Sequence, residues 1–144
     1  MSIIVEFFVA PDDASAALAL GTGPGRAFEA LSCGNFDPEE AVVEWECLFE
    51  GGDFEDRVET GEPRIIAGEP DDGCVVFVVP HGLFTALARA ERFRLHEIAA
   101  LWVGRRAEDG EVIEADVAGE ILSDLAALAR SAARQRQRLY CWVA

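Results

Sequence analysis

The chain has 144 residues, 51 % of them apolar, and a formal charge of −15 set against twelve arginines and no lysine. Disorder would need low hydropathy together with that charge, so the chain is expected to fold, as one domain spanning 1–144. Without lysine it cannot build a Walker-type phosphate loop, Schiff-base or pyridoxal chemistry, or the kinase strand lysine, and its net sign opposes nonspecific nucleic-acid binding.

The N-terminal segment alternates Ile3, Val5, Phe7 and Val9 with Ile4, Glu6, Phe8 and Ala10. Both faces are largely apolar, which predicts an interior strand. No charged segment precedes an apolar run here, so no signal peptide is expected. The apolar runs also fall short of the roughly 20 residues a membrane helix needs. Pro11 ends the strand, and Asp12 or Asp13 can cap a short helix through Leu20. Gly21–Arg26 follows that helix rather than a strand, so it reads as a turn and not as a dinucleotide-binding loop. Phe28–Cys33 leans toward strand.

The clearest local signal is Asp37-Pro38-Glu39-Glu40. It places an aspartate at a helix cap, proline in the first helical position and carboxylates at the positive end of the dipole. Val42, Trp45, Leu48 and Phe49 give that helix a core-facing stripe, ending at Gly51. Glu39, Glu46 and Glu50 lie along another line and are expected to face water. Glu50 is badly placed for the dipole at the C-terminal end, which favours a functional use of the acid face.

Residues 51–63 read as polar loop. Arg64–Ala67 and Cys74–Val79 read as strands joined through Glu69-Pro70-Asp71-Asp72-Gly73, the second of them central because it is continuously apolar and β-branched. After Pro80 the period becomes helical. Leu83, Leu87 and Ala90 mark one helix, and Leu95, Ile98 and Trp102 a second. Asp116 caps a third, whose stripe runs through Ile121, Leu122, Leu125, Leu128, Ala129 and Ala132. Leu139–Val143 closes the chain as a strand. Strands at the start, middle and end with a run of helices before the last predict an α+β fold: a single mixed sheet of about four to five strands with helices packed on it.

The order of an apolar first strand, Phe36-Asp37-Pro38-Glu39-Glu40 leading into Trp45, and a late helix running into Leu139-Tyr140-Cys141-Trp142 resembles the YfbM-like small α+β bacterial proteins. The resemblance implies a fold and leaves function open. Arginine in place of lysine, beside 23 alanines, also fits GC-rich bacterial coding. Cys33, Cys47, Cys74 and Cys141 form no CxxC pair and read as reduced thiols of a cytoplasmic protein.

Candidate chemistry is sparse. With Gly110 as the sixth position of a calcium loop, the first and third ligands would fall on Arg105 and Ala107, which cannot coordinate. His81 and His96 are too far apart for a local zinc motif, and no cofactor or metal is expected. Cys33 has no histidine placed nearby in sequence to activate it. Arg130, Arg134, Arg136 and Arg138 form a small basic patch, read first as cations suiting a helix end.

The distinctive feature is charge distribution. Residues 37–72 hold fourteen carboxylates against two arginines, a local net of −12 that leaves −3 for the rest. The expectation is a non-catalytic binding module recognising a basic protein partner through Glu39, Glu46, Glu50, Asp53, Glu55 and Asp56. The alternative is a small hydrolase-type enzyme using His81 and nearby carboxylates. A third reading makes the acids a solubilising surface, with the charge-balanced second half forming a homodimer.

Overall fold

Val5, Phe7 and Val9 enter one core while Phe8 and Ala10 enter another, so the first strand is apolar on both faces because both are covered. The structure is a computed structural model describing residues 3–34 and 36–144. Its five strands are β1 (Val5–Ala10), β2 (Ala30–Cys33), β3 (Ile65–Glu69), β4 (Cys74–Val78) and β5 (Arg138–Val143), in the order β2-β1-β5-β4-β3. The α+β expectation of one sheet with helices packed on it holds. Every strand pairing is antiparallel, where a mixed sheet was expected. The local connections β1–β2 and β3–β4 return the chain on itself, and β5 enters between them antiparallel to both neighbours.

The register aligns Phe7, Cys141 and Phe77 across three strands. That row faces the larger core, built by α2 (Pro38–Glu50), α4 (His81–Arg89), α5 (Arg92–Glu108) and α6 (Ala115–Arg134). Trp45, assigned to the core from its place on the helix stripe, is buried there, with its ring 5.0 Å from that of Trp102 and edge-on to it. On the opposite face, α1 (Asp13–Ala17) and the loop after it cover Phe8, Tyr140 and Trp142. The loop closes tightly: Gly23 adopts φ 82°, a Cβ there would lie 2.9 Å from the Trp142 ring, and the indole N–H of Trp142 donates to the Leu20 carbonyl at 2.9 Å.

Local signals place most elements. Asp37 accepts from the N–H groups of Glu39 and Glu40 at 3.0 and 3.3 Å, as its cap position requires. Glu40, which would return the bond in a full capping box, turns instead to Arg106 at 3.2 Å. Strand ends shift by one or two residues, β3 running on to Glu69, and three helical placements differ from expectation. α1 stops at Ala17, with turns carrying the chain on to Gly23. The segment read as loop contains α3 (Phe54–Glu59), whose N-terminus is capped by Asp53 accepting from Glu55 at 3.2 Å. In α6 the cap position belongs to Glu114, which makes no side-chain cap bond, and Asp116 lies inside the first turn where its charge suits the dipole. Among the described residues, no helix is long and apolar enough to cross a membrane.

Candidate functional site

Of the six acids proposed as a docking face, the fold brings five to the corner where α2 gives way to α3. Glu39 is left at the other end of α2, about 16 Å away by the rise of eleven helical residues. It is half-buried there, and burial raises its carboxyl above the ordinary value, with Asp37 adding to the effect. Glu50, Asp53, Glu55 and Asp56 are exposed at the corner.

Glu46 does not face water; it is 2 % exposed, which corrects the expectation for that residue. It is an internal anchor. One carboxylate oxygen pairs with Arg57, and the other accepts the N–H of Leu83 at 3.2 Å. Leu83 is the third residue of α4, a helix whose own cap position, Pro80, offers no side-chain acceptor. Glu46 therefore caps α4 from α2. Burial raises its carboxyl, and the Glu62 carboxylate beside it acts in the same direction against the opposing charge of Arg57.

The misplaced charge of Glu50 also has a structural reason. Two arginines from elsewhere serve the C-terminal end of α2: Arg57 donates to the Gly51 carbonyl at 2.9 Å, and Arg94 donates to that of Phe49 at 3.2 Å while its guanidinium sits over the Phe49 ring. Glu50 itself lies against Gly82 in the first turn of α4. The dipole mismatch is thus absorbed by packing and carries no functional weight.

A second buried acid escaped the sequence reading. Glu44 meets Arg106 at 3.0 Å, and Arg106, also buried, gathers Glu40 at 3.2 Å and Asp109 at 2.6 Å. Burial pushes the Glu44 carboxyl up to about 7 even though the Arg106 charge pulls it down. Four of the fourteen carboxylates in the acidic stretch, Glu40, Glu44, Glu46 and Glu62, therefore pair with arginines, and two of them, Glu44 and Glu46, are buried. Only period-independent tertiary pairing reveals this, because Arg106 is 62 positions from Glu44.

His81 opens α4 and is exposed, its ring nearly parallel to that of Phe84 at 6.4 Å and 19°. It lines a cleft of about 490 Å³ together with one carboxylate, Glu62. His96 is exposed on α5. Burial pushes the Cys33 thiol up to about 12, the opposite of what an activated nucleophile requires. All four cysteines are free. Among the described residues, no group of three or more potential ligands is arranged to hold a metal ion. No family model matches this chain, and no curated protein or solved structure matches it either.

Proposed function

We propose that this chain is a binding module that docks a basic protein partner on the corner formed by the end of α2 and by α3. The observation that carries the reading is the orientation of Arg57. It is the one basic residue between Asp37 and Pro63, and its guanidinium is turned inward to Glu46 and the Gly51 carbonyl. The outer surface of α3 is thereby left to Glu55, Asp56 and Glu59, with Val58 47 % exposed among them. An apolar side chain ringed by like charges suits a complementary surface of lysines and arginines around an apolar contact. The reading rests on Glu50, Asp53, Glu55, Asp56 and Glu59; Glu46 supports the corner from inside, and Glu39 is not part of it.

His81 shares its cleft with a single carboxylate, and Glu62 already faces Arg57 at 3.9 Å. A hydrolase working through paired acids has less support than docking. The test is capture of partners from the source lysate at low ionic strength. The wild-type chain is compared with a Glu55→Gln/Asp56→Asn/Glu59→Gln variant, which keeps the Asp53 cap. A basic protein held by the wild type and lost from the variant is expected. Identical captured sets would contradict the proposal.

A further inference from the structure

The cleft at the ends of β4 and β5 differs in character from the rest of this acidic molecule. Its apolar lining comes from Val78 and Phe84, both half-buried, backed by the buried Val79 and Leu139. Its rim carries Arg64, Arg136 and Arg138 against the lone carboxylate of Glu62. Arg64 shares its charge with Asp13 at 3.0 Å, whereas Arg136 and Arg138 belong to none of the ion pairs among the described residues. The volume, about 490 Å³, is that of a small-molecule site.

The backbone at Arg136 is a second, independent observation. Helix α6 ends in a Schellman turn: the N–H of Gln137 donates to the Ala132 carbonyl at 2.8 Å, and that of Arg136 to the Ala133 carbonyl at 3.2 Å. The residue between Gln135 and Gln137 must then take a left-handed conformation, and Arg136 has φ 56°. Glycine is the residue that adopts this geometry without steric cost, and Arg136 is the one non-glycine residue at positive φ among those described. The turn would be better served by glycine. An arginine stands there instead, among the residues that line the cleft, and strained positions of this kind gather at binding sites.

We propose that this cleft binds a small organic anion, with its carboxylate or phosphate group on the arginine rim and its apolar body on Val78 and Phe84. Guanidinium forks match the geometry of both oxyanions. The net charge of −15 disfavours a polyanion such as nucleic acid. A compact ligand with one or two charges meets chiefly the local positive field, because more distant charges are screened beyond about 8 Å.

The test is an amide NMR titration of the full chain with benzoate, phenyl phosphate, benzyl alcohol and benzylamine. Saturable shifts at Val79, His81 and Gln137 are expected with one or both anions and with neither the alcohol nor the amine. Response to a single anion would name the oxyanion class. Arg136→Gly should weaken binding about fivefold or more, the scale of a lost charge-assisted contact, while the melting temperature stays level or rises. Arg138→Gln should weaken binding without touching the turn. The proposal is overturned if neither anion gives saturable shifts up to its solubility limit, if the alcohol or amine acts equally, or if both variants bind as the wild type does.

Discussion

The Glu46 carboxylate accepts the backbone N–H of Leu83 at 3.2 Å, so an acid from one helix completes the first turn of another. Its second oxygen is held by Arg57, and removing the side chain would leave a helix end uncapped and take a carboxylate partner from Arg57, which keeps its bond to the Gly51 carbonyl. Glu46→Ala is expected to lower unfolding free energy by about 2–4 kcal/mol, between the loss of a cap and that of a buried ion pair. Glu46→Gln should cost less, because an amide oxygen still accepts from Leu83. Urea denaturation of the two variants checks the order, and an Ala variant as stable as wild type would contradict it.

Gly82→Ala tests the same junction from the other side. In an ordinary helix the change is favourable by about 1 kcal/mol. Here a Cβ would lie 2.7 Å from Glu46 Oε2 and would press on the Glu50 carboxylate as well. Glu50 is exposed and can swing away, but Glu46 is pinned by Arg57 and Leu83. The melting temperature is expected to fall; a rise would show that Glu46 is freer than its contacts indicate.

Arg106 is the counterpart at the other end of α2. Its loss strands Glu44 in the interior, so Arg106→Met should destabilise by about 3–5 kcal/mol in urea titrations. Adding Glu44→Leu should restore much of that stability, since a buried pair replaced whole by apolar groups is often neutral or better. A double variant no better than the single would contradict this.

The buried acids also fix a direction of pH dependence. Burial pushes the Glu44 carboxyl from 4.5 up to about 7, and burial raises Glu46 too. A folded state that holds protons the unfolded chain has released is favoured by acid. This contribution is complete below the unfolded value near 4.5 and is lost as pH rises through about 7. Asp12 and Asp13, lowered by hydrogen bonds from Ser15 and Tyr140, act in the opposite sense only as pH falls below about 3.8. Thermal melts should therefore show higher stability near pH 5.5 than near pH 7.5, with a smaller difference in Glu44→Gln. An unchanged slope in that variant would remove Glu44 from the explanation.

What could be read from the sequence was local. The alternation in β1, the Asp37 cap with Pro38 behind it and the apolar stripe of α6 all depend on neighbours within a few residues. α3 was missed because six residues are too short to show a helical period, although Asp53 followed by Glu55 and Asp56 was a usable cap signal. For Glu46, expected to face water, and Glu44, given no role, the reason is different. A carboxylate beside an apolar stripe looks solvated until its arginine is known, and Arg106 and Arg57 come from other elements. The cleft rim has the same origin, since Arg64 stands beside Arg136 and Arg138 only when β3 and β5 join the same sheet.

The most direct test of the docking corner is the ionic-strength dependence of binding to a captured basic partner. Wild type and the Glu55→Gln/Asp56→Asn/Glu59→Gln variant are titrated from low to high salt. Wild-type affinity should fall steeply with salt, chiefly through a slower association rate, and the variant should start weak and respond little. Salt-independent binding, or equal affinity of both proteins at low salt, would contradict the account.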